Sequence, residues 1–130
     1  MSIKIVSRAG VLFSSAAALV ADYPWGDFQG HTHWANVGWF PFFSPPVRLT
    51  DIALNVLLFL PLGFFAGLSK SNAALRAAAI ALPISILGEW PQLYSHTRFP
   101  SATDVFCNVA GAIAGSLIAA YVTRKRAFPV

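Results

Sequence analysis

Four apolar runs dominate this sequence and limit the folds that the chain can adopt. They cover about residues 9–22, 51–68, 73–94 and 104–122. Because an α-helix rises about 1.5 Å per residue, each of the last three covers roughly 27–33 Å, enough for the hydrocarbon core of a bilayer. Only 11% of the residues are charged, against about a quarter in soluble domains. The sequence therefore predicts an all-α integral membrane protein, a single domain over residues 1–130 built as a bundle of four short transmembrane helices.

The first run is shorter than the others, and two interpretations of it stay open. Lys4 and Arg8 precede it, and alanines occupy positions 16–18. A basic start, a short apolar middle and small residues are also the pattern of a secretory signal peptide. An uncleaved span is the preferred interpretation, and removal of a signal would leave the other spans in the same orientation.

The basic residues indicate how the helices are oriented. If the spans alternate in direction, seven of the nine basic residues share one side: Lys4, Arg8, Lys70, Arg76, Arg124, Lys125 and Arg126. Only Arg48 and Arg98 fall on the other side, which we call the outer side. Because basic residues concentrate in cytoplasmic loops, we expect both termini in the cytoplasm. The net charge of +4 then reflects topology and contacts with anionic lipid, and no nucleic-acid partner is expected.

The first outer loop, at about residues 23–50, is rich in aromatic residues and prolines. Its aromatic residues include Trp25, Phe28, Trp34, Trp39, Phe40, Phe42 and Phe43, and its prolines are Pro24, Pro41, Pro45 and Pro46. The prolines exclude one regular helix. The preferred interpretation is an aromatic belt at the membrane interface. The alternative is a lid, or an apolar wall for a lipid-chain substrate.

All five acidic residues map to the outer side, where polar residues recur at helical spacing. The second run has Asp51 four residues before Asn55, and the fourth has Asp104 four residues before Asn108, so each pair shares a helix face. Glu89 lies inside the third run, where a carboxylate is costly unless it faces the bundle interior. We therefore predict one outward-opening polar pocket formed by Asp51, Asn55, Glu89, Gln92, Arg98, Asp104 and Asn108.

Each of these residues also has a purely structural interpretation. Asp51 and Asp104 could cap helix N-termini, and the asparagines that follow them could join helices by hydrogen bonds. Arg98 could form an ion pair with Glu89 or Asp104. The cluster as a whole favours a site, since Glu89 has no capping role.

Two other features bear on packing and on metal binding. Gly111 and Gly115 form a small-xxx-small pair that lets another helix approach closely, whether from this chain or from a second copy in a homo-oligomer. His31 and His33 form a His-x-His pair in a loop, which is weak evidence for a metal. Neither a metal site nor a cofactor is predicted.

An ordered set of these residues resembles the VanZ-like membrane proteins. The set comprises Trp-Phe-Pro-Phe at 39–42, Asn-Val-Leu-Leu-Phe-Leu-Pro-Leu-Gly-Phe at 55–64, then Glu89, Gln92, Arg98, Asp104, Asn108, Gly111 and Gly115. The similar region covers about residues 39–122. The resemblance implies a multi-pass protein of the bacterial cytoplasmic (inner) membrane, in a family whose namesake is associated with resistance to the glycopeptide teicoplanin. It singles out Glu89, Gln92, Arg98, Asp104 and Asn108 without giving them catalytic roles.

Three functions are compatible with these features. The preferred one is a binding or accessory protein of the cell envelope, whose pocket holds a polar lipid headgroup or a lipid-linked cell-wall intermediate with Arg98 at its anionic part. The second is a membrane-embedded enzyme, in which Asp51, Glu89 and Asp104 share protons or hold a divalent cation together with a loop histidine. No recognised catalytic motif supports it. The third is a structural or interaction protein without a ligand.

Overall fold

The computed structural model describes residues 2–43, 47–68 and 72–127, and its helices carry the four apolar runs. They are α1 (Ile3–Asp22), α2 (Leu49–Gly67), α3 (Ala73–Glu89) and α4 (Ala102–Ala127). The described ranges contain no β-strand, only an isolated bridge between Gly38 and Ser101. The predicted all-α class is confirmed, and four helices are long and apolar enough to cross a membrane.

Several helix ends differ from the bounds predicted from the sequence. α1 begins at Ile3 rather than near residue 9, and α4 continues to Ala127 rather than ending near residue 122. Lys70, Pro45 and Pro46 lie outside the described residues, as does the side chain of Arg126.

The end of the third run changes its helical geometry. The predicted helix over 73–94 is α-helical only to Glu89, and Trp90–Tyr94 continue it as a 3-10 helix. Pro91 stands at the start of this turn. Because proline has no backbone N–H, it cannot make the next α-helical hydrogen bond. A second 3-10 helix, Trp34–Asn36, lies in the first outer loop.

The interior of the bundle is built mainly from small side chains. Ala18, Ala66, Ala77, Ala81, Ala112 and Ala119 are fully buried. Large apolar side chains point outward on every helix, among them Leu12, Leu57, Leu82 and Leu117. Helices in lipid gain little from burying leucine, so they associate by close van der Waals contact and hydrogen bonds. This distribution is what a lipid environment favours.

α2 and α4 touch through their backbones at four glycines: Gly63, Gly67, Gly111 and Gly115. A Cβ atom added to Gly63 would lie 1.8 Å from the carbonyl oxygen of Ala112, and one added to Gly115 would lie 2.0 Å from that of Leu60. One added to Gly111 would lie 2.2 Å from the carbonyl oxygen of Val56. The close approach expected at Gly111 and Gly115 is therefore made to α2 within the same chain.

The two ends of the bundle carry opposite charge. One end, which we call the acidic end, is formed by the last turns of α1 and α3, the first turns of α2 and α4 and the loops between them. It carries the five acidic residues: Asp22, Asp27, Asp51, Glu89 and Asp104. The opposite end carries Lys4, Arg8, Arg76, Arg124 and Lys125. This segregation is the one expected if successive spans alternate in direction.

We expect Gly115→Ala to destabilise the bundle, because the new methyl group would overlap the Leu60 carbonyl and push α2 away from α4. Overpacking of this kind costs about 1–3 kcal/mol, and occasionally more. Thermal unfolding of the detergent-solubilised protein, followed by tryptophan fluorescence, measures the effect. Gly30→Ala is the matched control, since a Cβ at Gly30 meets nothing within 4 Å. Equal unfolding midpoints for the two variants would contradict the backbone contact.

Candidate functional site

A cleft of about 310 Å³ opens at the acidic end, and we call it the polar cleft. Five of the seven predicted site residues line it: Asp51, Asn55, Gln92, Arg98 and Asp104. Arg48, Leu54, Thr97 and Phe99 complete its wall. An adjoining cleft of about 580 Å³ shares Arg48, Asp51, Phe99 and Asp104 with it. The structure therefore brings most of the predicted cluster to one opening.

Asp51 and Asp104 enter the cleft from the first turns of α2 and α4. Ser101 precedes α4, and its Oγ accepts the backbone N–H of Thr103 at 3.1 Å, so the serine and not Asp104 caps the helix. Both carboxylates still benefit from the partial positive charge of a helix N-terminus. Asp104 Oδ1 also accepts a hydrogen bond of 2.7 Å from Asn55 Nδ2. This bond joins α2 to α4 at the wall of the cleft.

Glu89 and Asn108 lie outside the set of residues that line the cleft. The Glu89 side chain is buried, and its Oε2 accepts the backbone N–H of Ser101 at 2.8 Å. Asn108 is fully buried and donates from Nδ2 to Ser85 Oγ at 2.8 Å. Glu89 thus links the end of α3 to the start of α4, and Asn108 joins the same two helices deeper in the bundle. Both residues therefore make the contacts between helices that are expected if their role is purely structural.

Gln92 and Arg98 both contact the end of α1. Gln92 Nε2 donates to the Asp22 carbonyl at 3.3 Å, and Arg98 Nη1 donates to the carbonyls of Ala21 and Asp22 at 3.2 and 3.4 Å. The last carbonyls of a helix have no partner within it, so these side chains satisfy them. Among the described residues no Lys or Arg nitrogen lies within 4.0 Å of a carboxylate oxygen. Neither of the two pairings considered for Arg98, with Glu89 or with Asp104, is therefore formed.

Asp22 is a buried carboxylate that the predicted site did not include. Its side chain is 3% exposed, and Oδ2 has no hydrogen-bond partner among the described residues. It packs against α3 at Gly88, where an added Cβ would lie 2.8 Å from Oδ2. One sequence signal could have identified it: an acidic residue at a helix C-terminus opposes the helix dipole.

A family comparison extends over nearly all of these elements. The model of the family described as VanZ/LLP1 matches residues 7–123. The chain belongs to the VanZ/LLP1 family. This match is wider than the region of about 39–122 that carried the resemblance, and it takes in most of α1 and the first outer loop. No match was found among the curated proteins or the solved structures.

The aromatic residues of the first outer loop lie at the surface of this VanZ/LLP1 protein. The seven aromatic side chains that the sequence analysis named in this loop are all exposed, from 48% for Phe42 to 91% for Phe43. None of the seven lines either cleft. Trp34 stacks parallel to Trp39 at 6.4 Å and meets Trp90 edge-on at 6.2 Å. This arrangement favours an interfacial belt over a lid on the cleft.

Asp27 fixes the loop that follows α3, another role absent from the sequence prediction. Its Oδ2 accepts hydrogen bonds from Ser95 Oγ at 2.5 Å, Thr97 Oγ1 at 2.7 Å and the backbone N–H groups of Thr97 and His96 at 2.9 and 3.0 Å. The bond from Ser95, followed by those from Thr97, holds the pKa of Asp27 well below its ordinary value of 3.8. The hydrogen bonds of the folded protein therefore stabilise the charged form of Asp27.

We expect Asp27→Asn to lower the unfolding temperature at neutral pH, because it removes the charge that receives these bonds. The pKa of Asp27 is lower in the folded state, so its contribution is complete above 3.8 and declines as the pH falls below that value. The difference in Tm between wild type and variant should be largest near about pH 7 and should shrink towards about pH 2.5. Thermal unfolding in detergent across this range provides the measurement. A difference that does not change with pH would contradict this role.

Proposed function

We propose that this VanZ/LLP1 protein binds an anionic lipid headgroup, or the headgroup of a lipid-linked envelope intermediate, in the polar cleft. The observation that carries the proposal is the set of groups facing one opening at the end of the bundle. Two guanidinium groups, Arg48 and Arg98, share it with the carboxylates of Asp51 and Asp104 and the amide of Asn55. Such a mixture suits a ligand that has both a phosphate and hydroxyl groups.

The guanidinium groups favour an anionic ligand. Arginine binds phosphate through two parallel N–H···O bonds, which gives both strength and a fixed orientation. Arg98 is already held by two carbonyls of α1, so less side-chain entropy is lost when it binds. Asp51 and Asp104 would accept hydrogen bonds from the hydroxyl groups of a glycerol or sugar.

The apolar side of the cleft favours a ligand with a hydrocarbon chain. Leu54 lines the cleft and is 65% exposed, and Leu57 lies one turn further along α2 with 62% exposure. Residues three apart lie on nearly the same helix face. A headgroup in the cleft could therefore leave its chain along this exposed stripe, where membrane lipid would surround it.

The charge distribution supports a location on the outer face of the bacterial cytoplasmic membrane. The end opposite the cleft carries Lys4, Arg8, Arg76, Arg124 and Lys125. Under the positive-inside rule this end faces the cytoplasm, together with both termini. The polar cleft then opens outward, where lipid-linked cell-wall intermediates are used.

Native mass spectrometry in mild detergent tests the proposal with phosphatidic acid as the anionic probe and diacylglycerol as its neutral counterpart. We expect wild type to retain phosphatidic acid and to release diacylglycerol. A charge-assisted hydrogen bond contributes about 1.5–3 kcal/mol, so Arg48→Gln should weaken retention roughly tenfold or more. Arg76→Gln is the matched control, because it removes a guanidinium group from the opposite end.

The outcomes of this experiment separate the three functions considered from the sequence. Equal retention by wild type, Arg48→Gln and Asp104→Asn would contradict the cleft as a binding site and favour a structural role. If wild type hydrolyses the bound phosphatidic acid and Asp104→Asn does not, the enzyme is favoured. The structural support for an enzyme is that Asp51 and Asp104 line one cleft. Retention without turnover supports binding alone.

A link to glycopeptide resistance is the cellular role that we propose from the family resemblance. Susceptibility to teicoplanin, measured in bacteria that express the chain, provides the test. We expect wild type and Arg76→Gln to raise the inhibitory concentration, and Arg48→Gln and Asp104→Asn to lose this effect at equal protein levels. No change on expression of wild type would contradict a role in resistance and would leave lipid binding to be judged by mass spectrometry.

A further inference from the structure

Three histidines from two different loops meet at the acidic end. His31 and His33 belong to the loop between α1 and α2, and His96 belongs to the loop between α3 and α4. The ring centroids lie 4.7 Å apart for His31 and His33, 5.5 Å for His31 and His96, and 4.6 Å for His33 and His96. One potential ligand atom from each residue lies within 4.8 Å of the other two. The rings meet edge to face.

The backbone around the three histidines is held by contacts independent of the rings. The N–H of Gln29 donates to the carbonyl of Tyr94 at 2.7 Å, and that of His33 donates to the carbonyl of Leu93 at 2.8 Å. Asp27 accepts the N–H of His96 at 3.0 Å. Two loops far apart in sequence are thus tied together on both sides of the cluster. Such support is what keeps metal ligands in place before the metal binds.

His33 carries a polar atom with unused bonding capacity. Its Nε2 is buried and has no hydrogen-bond partner among the described residues. Buried polar atoms in proteins are nearly always paired, with protein, water or an ion. A cation held together with His31 and His96 would satisfy this nitrogen.

We propose that His31, His33 and His96 form a binding site for a divalent late first-row transition-metal ion, with Zn²⁺ as its representative. Imidazole nitrogen is a ligand of Zn²⁺, Cu²⁺ and Ni²⁺, whereas Ca²⁺ and Mg²⁺ require oxygen. Around tetrahedral Zn²⁺, with bonds of about 2.0–2.1 Å, ligand nitrogens lie roughly 3.3 Å apart. The potential ligand atoms now lie within 4.8 Å of one another, and a bound ion would draw the exposed rings of His31 and His96 closer to reach that spacing. This proposal departs from the sequence-based prediction of no metal site.

The metal would join the first outer loop to the loop that forms part of the polar cleft. Thr97 and Arg98 directly follow His96 and line that cleft. A bound ion would therefore fix the backbone that carries Arg98. The metal site does not depend on the proposed lipid ligand, because none of the three histidines lines the cleft.

The test is to measure the affinity of the whole chain for Zn²⁺ by competition with a chromogenic chelator. The protein is purified in detergent with an affinity tag that contains no histidine. We expect wild type to bind one ion per chain. Loss of an outer-shell partner alone weakens metal binding roughly 10–100-fold, so His33→Asn and His96→Asn should each weaken it by at least about 100-fold. Thr32→Ala, between the two loop histidines, is the matched control and should bind as wild type does.

A spectroscopic measurement shows whether the histidines coordinate the ion. Co²⁺ added to wild type should give the visible absorption of a tetrahedral site, and His33→Asn should lose it while keeping its helical circular dichroism and its elution position. Zn²⁺ should also raise the unfolding midpoint of wild type and leave that of His33→Asn unchanged. Absence of stoichiometric Zn²⁺ binding to wild type, or equal affinity in wild type and His33→Asn, would overturn the proposal.

Discussion

The backbone contact between α2 and α4 is the constraint on which the acidic end depends. Val56 lies against Gly111 and Leu60 against Gly115, so the contacts advance in the same direction along two parallel helices. This register places Asn55 beside Asp104, where their side chains form a hydrogen bond of 2.7 Å. A side chain at either glycine would separate the helices and lengthen that bond. In lipid, where burial of large apolar groups gives little driving force, such close approach also supplies much of the attraction between helices.

Hydrogen bonds with neutral groups, and not ion pairs, organise the charged residues around this contact. Asp104 is held by an amide, Glu89 by a backbone N–H and Asp27 by hydroxyl and backbone donors. Arg98 is held by carbonyl groups of α1. A carboxylate and a guanidinium group that do not neutralise each other both remain available to a ligand. The polar cleft can therefore offer positive and negative groups side by side.

The sequence predicted those features that depend on local pattern. Hydropathy predicted four helices, the last three of them long enough to cross a membrane and the first left open between a span and a signal peptide. The four-residue spacing that begins at Asp51 and Asp104 predicted which polar residues share a face. The sequence also predicted one pocket for Asn55, Glu89 and Asn108, of which Asn55 lines the polar cleft and the other two do not. The partners of Arg98, the burial of Asp22 and the meeting of His96 with the loop histidines could not be predicted in this way. These features depend on how the two outer loops fold over the bundle. That arrangement is set by hydrogen bonds between residues far apart in the sequence.

One short segment, residues 95–98, takes part in both of the sites that we propose. Its backbone is held by Asp27, its histidine belongs to the metal cluster, and Thr97 and Arg98 line the polar cleft. A metal bound to His96 would add one more contact to this segment, directly beside the two residues that line the polar cleft. The two proposed ligands would then contact neighbouring residues of one four-residue segment, whose backbone Asp27 already holds.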